Sequence, residues 1–181
     1  RFADEADRLA AAENDAARKA ELLEIARICR KVPAQPAETF QEAIQSFWFI
    51  HLVIQIESNG HSISPMRFDQ YCYPFYEASK GTLPAEKAQE LLDLLWIKFN
   101  GLNKVRDEVS TSVFAGYPMF MNIIVGGQDR EGKDATNELS LMLLQAAANT
   151  KLYAPSLSIR IHEGTPDMLY LKAAEVSRMG L

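Results

Sequence analysis

The chain has 181 residues, 48% of them hydrophobic, with a net charge of −5 and a pI of about 5.3. Enough apolar side chain is present to fill a core, and an acidic chain with no Lys/Arg-rich block is a poor partner for nucleic acid or anionic membranes. No apolar run approaches the ~20 residues of a membrane-spanning helix, and the opening Arg1-Phe2-Ala3-Asp4-Glu5 has no signal-peptide core.

Residues 2 to about 31 are rich in Ala, Glu, Arg and Leu and predict one helix with a modest stripe of Leu22, Ile25, Ala26 and Cys29. Val32-Pro33-Ala34-Gln35-Pro36 ends it, and Pro36 is placed to open a second helix to about residue 57. That helix is apolar nearly all round over 47–54, the mark of an element buried inside a larger body. A polar loop follows, then a short aromatic-rich helix over 68–79. Lys80-Gly81-Thr82-Leu83-Pro84 is a break before a helix to about residue 100, whose Ala88, Leu91, Leu92, Leu95 and Phe99 share a face that Trp96 widens. Residues 101–118 are mixed. Residues 120–125 predict a strand closed by Gly126-Gly127, Asp134-Ala135-Thr136 caps a helix to about 149, 156–161 alternates as a second strand, and Thr165-Pro166-Asp167 opens a last helix. The order predicts an α/β body with a helical N-terminal layer. Two strands cannot form a stable sheet alone, so neighbouring strands are expected from sequence outside these residues. The lack of an initial Met and the abrupt Arg178-Met179-Gly180-Leu181 end likewise read as cuts in a longer chain.

Several familiar chemistries are poorly supported. Gly127-Gln128-Asp129-Arg130-Glu131-Gly132-Lys133-Asp134 matches the first seven positions of a P-loop, but Asp134 replaces the magnesium-binding hydroxyl and two acids would face the phosphates. The three histidines, His51, His61 and His162, are far apart and none belongs to H-E-x-x-H, so no metal site is expected. His51 reads as a hydrogen-bonded core histidine, and His162-Glu163 as a surface loop pair ahead of a catalytic one. Cys29 and Cys72 have neither CxxC nor zinc spacing and read as packing residues, which fits a cytoplasmic protein better than a disulfide framework.

The strongest signal is the loop Glu57-Ser58-Asn59-Gly60-His61-Ser62-Ile63-Ser64-Pro65-Met66-Arg67-Phe68-Asp69-Gln70-Tyr71. It places an amide, an imidazole, hydroxyls, a guanidinium and a carboxylate at the end of a buried helix, where each must be satisfied by a neighbour, water or a ligand. The plainer reading is a loop stapled by its own polar groups, with Arg67 and Asp69 paired locally.

This loop, with Phe40-Gln41-Glu42-Ala43-Ile44-Gln45, Phe120-Met121-Asn122-Ile123-Ile124-Val125-Gly126-Gly127-Gln128, Asp134-Ala135-Thr136-Asn137-Glu138-Leu139-Ser140 and Pro155-Ser156-Leu157-Ser158-Ile159-Arg160, resembles the glycyl radical enzymes, in their branch of pyruvate formate-lyase-like lyases and dehydratases. The resemblance runs from about residue 36 to 181. It implies that residues 1–181 are part of a ten-stranded α/β barrel domain truncated at both ends, mostly helical here with two or so strands. It also implies a glycyl radical installed by an activating enzyme that uses S-adenosylmethionine and an iron–sulfur cluster, a thiyl cysteine that abstracts hydrogen from a small-molecule substrate, and a homodimer in the cytoplasm or a bacterial microcompartment. The family's Gly-Cys-x-Glu and Arg-Val-x-Gly-Tyr motifs do not occur here, so no catalytic residue is expected in this chain and Cys29 and Cys72 do not fill the gap.

Within that resemblance, Asn59, His61 and Ser62 correspond to the substrate loop, His61-Ser62 being similar to the pair that holds substrate hydroxyls in glycerol dehydratase, and Phe120 to an aromatic pocket wall. The implied function is radical elimination of water or an amine from a small polar substrate, diol dehydration and choline cleavage leading. Ser64-Pro65-Met66-Arg67 looks closer to the choline enzyme. The alternatives are a formate C-acetyltransferase, which would bind a carboxylate through arginines, and a helical interaction module without catalysis.

Overall fold

The computed structural model describes residues 1–58, 60–103, 106–114 and 120–180. The N-terminal layer is two helices, α1 (Phe2–Ala12) and α2 (Ala16–Lys31), where one was expected. The break lies at Glu13-Asn14-Asp15. There the Glu13 carboxylate accepts from the main-chain N–H groups of Asn14 and Asp15, and Asp15 accepts from Arg18 N at 2.7 Å. Such side chains offer the backbone bonds that compete with a continuous helix and cap a new one. Buried Ala3, Ala6 and Ala10 form the packed face of α1.

The next helix, α3 (Phe40–Ser58), starts four residues beyond Pro36. Thr39 sets the start, its hydroxyl accepting from Glu42 N at 3.2 Å. Glu42 is itself a buried carboxylate, reached by Lys31 Nζ at 2.8 Å, Arg27 at 3.0 Å and Glu38 N at 2.9 Å. Burial alone would raise its carboxyl, but these donors hold it down at about 2. This cluster locks α2 to the start of α3.

The expected aromatic helix is split into α4 (Phe68–Tyr71) and α5 (Tyr73–Ser79). Pro74, with no N–H to continue the ladder, accounts for the division. After α6 (Ala85–Asn100) comes α7 (Glu108–Phe114), which the mixed composition of 101–118 concealed. Asp107 caps it, accepting from Ser110 N at 2.9 Å. The strand β1 (Asn122–Gly126) begins two residues later than expected. The helix α8 (Glu138–Thr150) is capped by Asn137, whose side chain accepts from Ser140 N while Ser140 Oγ accepts from Asn137 N. Asp134 and Thr136 instead bond one another in the preceding turn. β2 (Ser156–Arg160) and α9 (Asp167–Arg178) complete the described elements.

β1 and β2 pair in parallel, from Asn122↔Ser156 to Gly126↔Arg160. On the other edge of β1, Met66 makes a single parallel bridge to Ile123. The core lies between the helices and this sheet, with Phe40, Phe68, Leu92, Trp96, Phe99, Ile123, Val125 and Leu143 all buried. The fully buried helix expected over 47–54 is two-sided instead. Phe47 and Trp48 pack on the core, but Ile50, Val53, Ile54 and Ile56 are exposed. Every helix among the described residues falls short of the length and apolarity needed to cross a membrane.

Replacing Glu42 by Ala is expected to destabilise the fold by roughly 1–2 kcal/mol, since the acceptor that ties Lys31, Arg27 and the Glu38 main chain together is lost, although both cations keep access to water. Its depressed carboxyl contributes stability that is present above about pH 4.5 and lost as pH falls towards 2. Urea melts of wild type and Glu42→Ala between pH 2 and 7 measure both effects. The exposed α3 face and the open edge of β2 also predict self-association of the isolated chain. Sedimentation velocity showing only monomer at tens of micromolar would contradict this.

Candidate functional site

The loop between α3 and α4 is held at both ends. At its start, Gly60 N donates to Gln55 O at 3.0 Å. A Cβ on Gly60 would stand 2.0 Å from Gln55 Oε1 and 2.8 Å from Ile63 Cδ1, so glycine is required here for space. Further on, Met66 N donates to Asn122 O at 3.1 Å and Ile124 N to Met66 O at 2.7 Å. Ser64 Oγ accepts from Asn122 N at 2.9 Å, and the Tyr71 hydroxyl donates to Pro65 O at 2.9 Å. The loop therefore lies along β1 as a further, one-residue strand.

That attachment brings together three of the four residues expected to face substrate. The His61 ring lies 5.0 Å from the Phe120 ring at an interplanar angle of 60°, and Ser62 is adjacent. All three are exposed. Asn59, the fourth, lies outside the described residues. Ser62 and Phe120 have φ of 59° and 52°, and Met66 in the same loop has 56°. Left-handed backbone costs a non-glycine residue of order 1 kcal/mol or more, and such strain concentrates where a fold holds residues for a purpose. For a bulky residue such as Phe120 it is a marked departure.

Arg67 and Asp69 do not pair with each other, contrary to the local-staple reading. Arg67 donates to Gly126 O at 3.0 Å and Gln128 O at 3.1 Å. Asp69, fully buried, accepts from Gly126 N at 2.8 Å and Ser140 Oγ at 2.6 Å, and its main-chain oxygen accepts from Asn137. Burial raises its carboxyl, and the Ser140 and Gly126 donors oppose that rise. Both residues clamp the C-terminal end of β1, which the loop reaches only in three dimensions.

Sequence reasoning missed a polar cluster behind the site. His51 and Gln55, one turn apart on α3, are both buried. Gln55 Nε2 lies 3.1 Å from His51 Nε2, and His51 Nε2 lies 3.2 Å from Met121 Sδ. Burial pushes the imidazole down to about 4, so His51 is neutral at ordinary pH, as expected of a core histidine. The i, i+4 spacing of His51 and Gln55 was the available signal.

The other candidates fall away on geometry. In the P-loop-like segment, Asp129 Oδ1 accepts from Glu131 N and Lys133 N, both at 2.9 Å, and Gln128 bridges Asp134 as a hairpin would. The amides that would cradle phosphate are already bonded to a carboxylate, and α8 begins four residues further on. His162 Nε2 lies 3.0 Å from Asp134 Oδ1, and its Nδ1 accepts from Gly164 N, so the pair joins the loops after β1 and β2. It stands at the opposite end of β1 from Phe120. Cys72 is buried and its thiol is pushed up by burial, which suits packing better than reactivity. No group of three or more His, Cys, Asp or Glu suited to a metal ion occurs among the described residues.

The described residues thus form a parallel strand pair wrapped by helices, with an imidazole, a hydroxyl and an aromatic ring near the start of β1. The Pyruvate formate lyase-like family matches residues 1–181, and the chain belongs to that family. Among solved structures, the glycerol-bound B12-independent glycerol dehydratase from Clostridium butyricum superposes with a TM-score of 0.94 at 59% identity, over 99% of this chain and 23% of that one. A structure addressing 1,2-propanediol dehydration in Roseburia inulinivorans superposes at 0.95 with 56% identity and the same coverage. The probable dehydratase YbiW of Escherichia coli (strain K12) is 39% identical over 99% of this chain and 23% of its own length. The chain thus spans about a quarter of the proteins it matches, and its fold is an excerpt of their α/β barrels.

The neutral His51 makes a pH prediction. Its folded-state pKa, near 4, lies below the ordinary value of 6.5, so the unfolded chain binds the extra proton first and stability is lost as pH falls from about 6.5 towards 4. The loss is expected to reach about 2–3 kcal/mol. His51→Gln should flatten that window while leaving the Glu42 transition below pH 4.5 in place. Equilibrium urea unfolding at half-unit pH steps checks this.

Proposed function

We propose that the protein carrying this chain is a glycyl radical dehydratase acting on a small vicinal diol, and that residues 1–181 are part of its barrel domain. The observation that carries the reading is the pairing of His61 with Phe120 beside Ser62, on a strained loop anchored to β1. The high identity to proteins described as acting on glycerol and 1,2-propanediol supports a diol over the choline type of substrate.

The radical chemistry would come from a glycyl radical and a thiyl cysteine outside these residues, installed with the help of a separate activating enzyme. The chain's own contribution is binding and orientation. His61 and Ser62, with Asn59 beside them, would bond the substrate hydroxyls and hold one C–H towards the hydrogen-abstracting group. Phe120 would exclude water from one side of the cavity. The imidazole can donate the proton that a departing hydroxide needs to leave as water.

The acyltransferase alternative needs arginine aimed at a carboxylate. Arg67, the loop's arginine, is turned to the main-chain oxygens of Gly126 and Gln128, which disfavours it. Family membership disfavours a non-catalytic helical module. A homodimer, an activating-enzyme partner and a cytoplasmic or microcompartment setting belong to the same proposal.

In the full-length enzyme, His61→Ala is expected to lower kcat/KM by roughly 10- to 100-fold, the loss of one positioned hydrogen bond to a buried polar substrate. The glycyl radical should still form. Radical content by EPR and diol turnover are to be measured on one preparation. Turnover close to wild type would make His61 structural.

A further inference from the structure

Both arms of the candidate site rest on one side chain of α3. Gln55 is buried, and its amide faces two neighbours at once. Its Oε1 lies 2.0 Å from where a Cβ of Gly60 would stand, so the main chain of Gly60 packs closely against the amide. Its Nε2 lies 3.1 Å from His51 Nε2 and 3.8 Å from Met121 Sδ, with His51 bridging to the same sulfur at 3.2 Å. Gly60 immediately precedes His61, and Met121 immediately follows Phe120. The amide therefore stands behind the last residue before one site group and the first residue after the other.

Neither segment reaches its position by its own preference. Ser62 and Phe120 are in left-handed backbone, so the surrounding packing has to hold them there. Met121 is buried against the helix, and Gly60 has no side chain with which to find another seat. Gln55 Oε1 has no hydrogen-bond partner among the described residues. An amide buried on these terms is a costly choice where Leu or Met would fill the same volume, which points to a purpose other than stability.

We infer that Gln55 is the positioning residue of this site: acting through Gly60 and Met121, it sets the separation of the His61 imidazole from the Phe120 ring. The inference rests on His61 and Phe120 being the substrate-facing groups. Gln55 itself bonds no reacting atom. Its removal should leave the radical intact and loosen the geometry, and a misplacement on the order of 1 Å can cost about 100-fold in rate.

The test uses the full-length enzyme, activated and assayed on glycerol and 1,2-propanediol. Gln55→Leu is expected to lower kcat/KM by roughly 10-fold or more with unchanged EPR radical content. Added to His61→Ala, it should cause little further loss, because the two act on one interaction. Fully additive losses, or wild-type kcat/KM in Gln55→Leu beside an impaired His61→Ala, would overturn the inference. Gly60→Ala approaches from the other side, by driving a methyl into the amide, and should reproduce the phenotype if Gln55→Leu fails to fold. A crystal structure of either variant separates this inference from the functional reading. A His61–Phe120 ring separation still at 5.0 Å overturns the positioning role whatever the kinetics. A displaced ring pair with normal turnover on His61→Ala upholds it and removes only the substrate role of His61.

Discussion

A loop that leaves a half-buried helix and runs along the core must find partners for its main-chain donors and acceptors, and here β1 supplies them. Met66 bonds Asn122 and Ile124 on the edge of β1 that β2 leaves free. The rest of the site depends on this bridge. It aligns Ser64 with the start of the strand, delivers Arg67 to the carbonyls at its far end, and places Asp69 beneath Gly126. With the loop fixed along β1, His61 has little choice but to lie near the strand's first residues, where Phe120 meets it.

The polar groups around this bridge divide into two kinds. Arg67, Asp69, Ser140 and Asn137 satisfy main-chain groups at the C-terminal end of β1 and bind α8 to the sheet. Within this group the buried Asp69 accepts through Oδ2 from a hydroxyl and a main-chain amide, bonds that are strong in a dry environment and that oppose the rise burial imposes on its carboxyl. At the other end, His61 and Ser62 are exposed side chains on strained backbone. A polar cluster in sequence thus separates in space into a staple and the exposed groups proposed to face substrate.

The helix α3 couples the two ends of the molecule. Its first turn is tied to α2 through Glu42, its middle packs Phe47 and Trp48 into the core, and its last turns carry His51 and Gln55 against Met121 and Gly60. The opposite face, with Ile50, Val53, Ile54 and Ile56, is exposed. Apolar side chains of that size in one row call for a covering layer. The matched proteins are about four times as long as this chain, with ample material for one.

Much of this was legible in the sequence. Helical periodicity marked the buried face of α6, the apolar run closed by Gly126-Gly127 marked the first strand and alternation over 156–161 the second, and the loop at 57–71 stood out because many polar groups followed an apolar helix. His51 as a core residue and the weakness of the P-loop match could also be read locally. Element boundaries were less accessible where side chains compete with the backbone, as at Asp15, Thr39 and Asn137, because a cap is decided by a single hydrogen bond. Tertiary structure alone decided the partners. Arg67 and Asp69 are two residues apart and look like a pair, yet each bonds a strand some sixty residues away. Gln55 and Met121 give no sign in sequence that they meet. Spacing along a helix or strand reports which residues share a face, but contact between faces is set by how the elements pack, and that is a property of the folded chain as a whole.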